Sequence, residues 1–191
     1  EILRCLVGSE MCIRDSRIPV PVEINASAHA DDDFSKNKSI AELTDWNIYS
    51  PVWAPVSLED QWLKLQDKDP FDYAKVERKI PASKELKVSF DLKAGQNNKG
   101  PLQIEFLDEN GIACSRMELT DDGIFRLKGG SRFANMMKYE AGKVYHVEAV
   151  LSTVDRNIQV YVDGKRVGLR MFYAVSYTHL RSHETSQDLV C

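Results

Sequence analysis

Ile158-Gln159-Val160-Tyr161-Val162-Asp163-Gly164-Lys165-Arg166-Val167 reads as two strands joined by a two-residue turn. Ile158, Val160 and Val162 share one face and Gln159 and Tyr161 the other, the period of two expected of a half-buried strand. Asp163-Gly164 supplies two adjacent residues that tolerate positive φ, as a type I′ turn requires. Such a turn twists in the same sense as the strands it joins, so the stretch predicts a tight antiparallel hairpin.

The same grammar extends upstream. Leu86, Val88, Phe90 and Leu92 alternate with Lys87, Ser89 and Asp91, and Leu102, Ile104 and Phe106 alternate with Gln103 and Glu105. Further strands are expected at 46–53, 62–66, 74–80, 115–119, 124–127, 144–152 and 167–173. Between them lie turn formers: Glu109-Asn110-Gly111, Asp121-Asp122-Gly123 and Gly129-Gly130. No segment sustains a 3.6-residue apolar period, although residues 39–43 suit one helical turn. About ten short strands without crossover helices predict an all-β antiparallel β-sandwich.

The two ends read differently. Glu10-Met11-Cys12-Ile13-Arg14-Asp15 and Val175-Ser176-Tyr177-Thr178-His179-Leu180 are encoded by one DNA element in its two orientations. GAG ATG TGT ATA AGA GAC AG gives the first, and its reverse complement, CT GTC TCT TAT ACA CAT CTC, gives the second. The element resembles the transposon mosaic end used in preparing sequencing libraries. Residues 1–16 and 174–191 are therefore expected to be adapter-derived, 17–32 a linker, and 33–173 a sandwich domain truncated at its C-terminal side.

This division alters the composition argument. Of four cysteines only Cys114 falls between the adapter segments, so no disulfide framework is expected. Cys114 reads as a small packed or part-exposed thiol rather than a nucleophile, because no His and acid partner is recognisable near it in sequence. Residues 17–173 carry 22 basic and 24 acidic side chains, a near-neutral balance that argues against a nucleic-acid partner. No apolar run approaches the roughly 20 residues of a membrane-spanning helix.

Lys143-Val144-Tyr145-His146-Val147-Glu148-Ala149, followed by the Val160-Tyr161-Val162-Asp163-Gly164-Lys165 hairpin, resembles the late strands of concanavalin A-like, laminin-G-like jelly rolls. Asp33-Phe34 with Trp46, Trp53 and Trp62 fits the start of such a domain. The stretch from Asp69-Pro70-Phe71-Asp72-Tyr73 to Arg78 is similar to sandwich domains of secreted bacterial glycan-degrading proteins. Some of those proteins also carry a sialidase-like propeller with BNR repeats. The resemblance implies a secreted, periplasmic or cell-surface protein in which this domain adjoins a catalytic one.

Opposite the apolar faces, Gln103, Glu105, Arg116, Glu118, His146, Glu148 and Tyr161 are expected to form one polar sheet face. Amide, guanidinium and carboxylate groups suit the hydroxyls and carboxylates of a polysaccharide or oligosaccharide. The plainer alternative is a solvated face of cross-strand charge pairs.

Catalysis is a second alternative, because a hydrolase needs paired carboxylates and a lyase needs a base such as His146 or Tyr161. The Glu-x-Asp-x-x-Glu strand motif of jelly-roll hydrolases is absent. The alginate-lyase strand motifs are not reproduced by Arg116-Met117-Glu118-Leu119 or Gln103-Ile104-Glu105. The expected function is a non-catalytic carbohydrate-binding or structural accessory module. The alternatives are a catalytic jelly roll of a lyase or glycoside hydrolase, and an adhesion module without a sugar ligand. No cofactor is required; calcium is the one candidate, through Asp33 in Asp31-Asp32-Asp33. The three tryptophans read as core or inter-sheet packing, with sugar stacking as the alternative.

Overall fold

The computed structural model describes residues 32–68, 71–108 and 110–172, together with the backbone of two later strands. Its described residues form a β-sandwich of two seven-stranded sheets. Sheet A contains β1 (Trp46–Tyr49), β4 (Ala74–Ser83), β6 (Leu102–Leu107), β7 (Ala113–Leu119), β8 (Ile124–Gly129), β9 (Arg132–Lys138) and β13 (Tyr177–Glu184), in the order β1-β4-β13-β6-β7-β8-β9. Sheet B contains β2 (Val56–Glu59), β3 (Trp62–Gln66), β5 (Glu85–Ala94), β10 (Val144–Ser152), β11 (Asn157–Val162), β12 (Lys165–Met171) and β14 (Asp188–Val190), in the order β12-β11-β10-β5-β14-β3-β2. All pairings are antiparallel, and the residues 39–43 expected to turn once carry a 3-10 turn, Ile40–Glu42. No helix among the described residues is long and apolar enough to cross a membrane.

Alternation decides which side chains meet between the sheets. Leu102, Ile104 and Phe106, then Met117 and Leu119, then Phe125 and Leu127 project inward from sheet A. They meet Leu63, Leu65, Leu92, Val147, Ala149, Leu151, Ile158 and Val160 of sheet B. Complete burial of one such Leu or Phe stabilises the fold by about 1.5–3 kcal/mol, so this interleaving is the main cohesive term. The hairpin of Asp163 (φ 50°) and Gly164 (φ 77°) forms as its sequence predicts, with Val162 opposite Lys165.

Three differences from the sequence reading have local causes. The strand expected over 46–53 ends at Tyr49, because the chain turns at Pro51, where the Ala54 N–H donates to the Pro51 carbonyl, before β2 begins. Trp53 sits on that turn and is 67% exposed, which overturns its expected place in the core. The β2–β3 hairpin then closes on Asp60 (φ 51°) and Gln61 (φ 68°), so both positive-φ positions are filled without the glycine that advertises such turns. β9 had no sequence signal because Met136 is an extra residue between Asn135, opposite Arg126, and Met137, opposite Phe125. That bulge breaks the alternation on which the reading depends.

β12 folds across β8 and β9 where two glycines admit it. A Cβ on Gly129 would lie 2.5 Å from both the Arg170 Cβ and the Met171 carbonyl oxygen, and one on Gly168 would lie 2.6 Å from the Met136 sulfur. This close approach shuts one side of the sandwich.

Candidate functional site

With Leu102, Ile104 and Phe106 turned into the core, Gln103 and Glu105 of β6 project from the opposite face of sheet A. Register sets their neighbours: Gln103 lies opposite Glu118 and Glu105 opposite Arg116 on β7, and Glu118 lies opposite Arg126 on β8. The Arg116 guanidinium grips Glu105 Oε1 through Nε at 2.7 Å and through Nη2. Arg126 grips Glu118 Oε1 in the same way, with Nε at 2.9 Å and Nη2, while Gln103 Nε2 donates to the other Glu118 oxygen at 2.9 Å.

Burial makes these pairs asymmetric. The Glu105 and Glu118 side chains are 0% and 4% exposed, whereas those of Arg116 and Arg126 are 28% and 35% exposed. A buried carboxylate without a partner is costly, and each guanidinium offsets that cost while keeping further N–H donors beyond those spent on its Glu. Arg126 also lies 4.2 Å above the ring centroid of Phe133 on β9, with Lys128 Nζ 5.4 Å from the same ring. Three cations and two carboxylates thus share this part of the sheet, leaving positive charge in excess. Planar, oriented guanidiniums, that of Arg126 set over an aromatic ring, are suited to a carboxylate-bearing ligand.

The seven residues expected on one polar face are divided between the sheets. Gln103, Glu105, Arg116 and Glu118 converge on sheet A, whereas His146, Glu148 and Tyr161 stand on β10 and β11 of sheet B. The two sheets share one core between them, so their outer faces point apart. On sheet B, His146 Nδ1 lies 2.8 Å from Asp91, Glu148 accepts from Lys87 at 2.8 Å, and the Tyr161 hydroxyl donates to Gln159 at 3.1 Å. Those pairs are exposed or half-buried, as on an ordinary solvated face.

Arg126 and Lys128 did not stand out in the sequence. Arg126 alternates with Phe125 and Leu127 and sits across the Asp121-Asp122-Gly123 turn from Glu118, a spacing that carries the pairing signal. Phe133 lies on the bulged strand that gave none.

Asp33 accepts two hydrogen bonds from Ser35, from its N–H at 3.0 Å and its hydroxyl at 2.9 Å, and these hold its carboxyl below the usual range. Asp32 pairs with Arg78 at 2.8 Å, and Asp31 lies outside the described residues. Among the described residues no three His, Cys, Asp or Glu side chains gather where they could hold a metal ion. Cys114 donates from Sγ to the Phe106 carbonyl at 2.9 Å, and burial pushes its thiol up to about 12.

A search of curated proteins found no match. Among solved structures, the chain is similar to a protein titled "Sialidase", with 81% identity and a TM-score of 0.83, across 89% of this chain and 16% of that one. It therefore spans about a sixth of that relative's length. It also superposes on the carbohydrate-binding module CBM66 from Bacillus subtilis at 12% identity and a TM-score of 0.54, covering 77% of this chain and 91% of that one. An alginate lyase from Corynebacterium sp. superposes at 11% identity and a TM-score of 0.60, covering 78% and 91%. These last two likenesses speak to the fold alone. The family profile described as "Sialidase-like, CBM domain" matches residues 46–181, which takes in β1 to β12 and every residue of the Arg116–Arg126 cluster, and the chain belongs to that family.

Proposed function

We propose that this chain is a non-catalytic carbohydrate-binding module of an extracellular or cell-surface glycan-degrading protein, and that the outer face of sheet A holds an acidic sugar. The observation that carries the reading is the pair of half-exposed arginines, Arg116 and Arg126, each seated on a buried glutamate. A guanidinium already held in place loses little freedom when it binds a carboxylate, and Gln103 and Lys128 stand beside it to meet hydroxyls. The sialidase relative makes sialic acid the first sugar to test. The catalytic alternative finds less support here. Glu105 and Glu118 lie beneath the arginines as hydrogen-bond acceptors, and neither is placed to deliver a proton to a substrate.

The test is calorimetric titration of the chain with N-acetylneuraminic acid and with glucuronic acid. Arg126→Ala should weaken binding by more than about tenfold, because it removes a charged partner of the ligand. His146→Ala, on the opposite sheet, should bind as the unsubstituted chain does. Equal binding by both variants sinks the sheet A assignment. Binding is proposed to need no cofactor, so a melt in calcium should coincide with one in chelator. A shift between them would instead point to Asp33.

A further inference from the structure

The outer face of sheet A does not end at the arginines. The cross-strand register runs in one line from Arg126 through Glu118 and Gln103 to His183 on β13, then to Lys75 on β4 and Tyr49 on β1. At that far end Tyr49 and Tyr73 form a ring pair with centroids 5.7 Å apart, and the Tyr49 hydroxyl donates to Asp72 at 3.1 Å. Ala74 and Val76 enter the core, so Tyr73 and Lys75 share the outward parity of β4. Tyr49 is 37% exposed.

The loop residues 50–55, 67–68 and 71–73 frame this corner, tied by the Lys68 N–H donating to the Trp53 carbonyl at 2.9 Å. They also carry Trp53, 67% exposed, and Phe71, 88% exposed. Aromatic faces beside a carboxylate are the chemistry for an uncharged pyranose, whose C–H face packs on a ring while its hydroxyls donate to an acid. Five strand steps separate Tyr49 from Arg126, and at about 4.8 Å each the line is roughly 24 Å long, more than one sugar ring covers.

We infer that Tyr49, Tyr73 and Asp72 form a second subsite for a neutral sugar, so that the module reads an oligosaccharide laid across the strands with its acidic residue at Arg116 and Arg126. This rests on the acidic-sugar reading above, and the experiment separates the two. The chain is titrated with N-acetylneuraminic acid and with a linear sialylated pentasaccharide. The pentasaccharide should bind about tenfold more tightly than the free acid, and Tyr49→Ala should reduce its affinity to that of the acid. Asp72→Ala, on an exposed loop, should lose part of the same gain and serves if Tyr49→Ala fails to fold. Equal affinity of the two probes for the unsubstituted chain overturns the second subsite and leaves the acidic one standing. A gain that survives both substitutions does the same. Failure to bind either probe overturns the acidic-sugar reading and this inference with it.

Discussion

Glu118 shows how one residue's surroundings set its worth. Its side chain is 4% exposed, and Arg126 and Gln103 satisfy its two oxygens. Removing Arg126 leaves a buried carboxylate that still accepts from Gln103, at a cost of about 1–3 kcal/mol. Glu118→Gln removes the charge but keeps an acceptor, so urea melts should rank Arg126→Ala below Glu118→Gln in stability. The reverse order would mean that the pair is too well solvated to matter. Cys114 makes the opposite case, a reactive group silenced by its setting. With its thiol pushed up to about 12 by burial, it stays protonated at pH 8 and should react with a thiol reagent only when the chain unfolds. Rapid labelling of the folded chain at pH 8 would contradict this. Because the raised value is a folded-state property, the thiol costs stability only as the pH climbs through the unfolded value near 8.5 toward the folded one.

At the scale of elements, β8, β9 and β12 are held at their distance by glycine. Gly129→Ala places a methyl 2.5 Å from the Met171 carbonyl, which belongs to the backbone and cannot rotate away, so β12 must shift. The expected loss is about 1–3 kcal/mol, read as a lower denaturation midpoint with unchanged slope. Gly168→Ala meets the flexible end of Met136 and should cost less.

The strands that the sequence announced share a clean period of two, as β10 and β11 do, with bounds that match their expected spans. Those it concealed are irregular: β2 follows two prolines and runs into a glycine-free turn, and β9 carries a bulge. The site followed the same rule. Glu105, Arg116 and Glu118 were visible as outward positions, but nothing local distinguishes the outer face of one sheet from that of the other. Sheet membership is a matter of strand order, so His146, Glu148 and Tyr161 were grouped with residues on the far side of the molecule.

For the molecule as a whole, the decisive pairings are the latest ones. β13 lies between β4 and β6, with Ala74 opposite Glu184, and β14 lies between β5 and β3. Ser182→Pro removes an N–H and constrains φ inside sheet A, where Ser182 faces both Val76 and Ile104. It should cost about 3 kcal/mol or more, and an unchanged melting temperature would show that the tail does not occupy that slot.

The same placement orders events during synthesis. A ribosome delivers residues 46–172 before it delivers 177–190, yet each sheet is divided in two until that last segment arrives. The partial sandwich presents open strand edges on both layers while it waits, and contacts this distant in sequence form slowly. Yield of the intact domain should therefore depend on how well those edges are shielded in the interval.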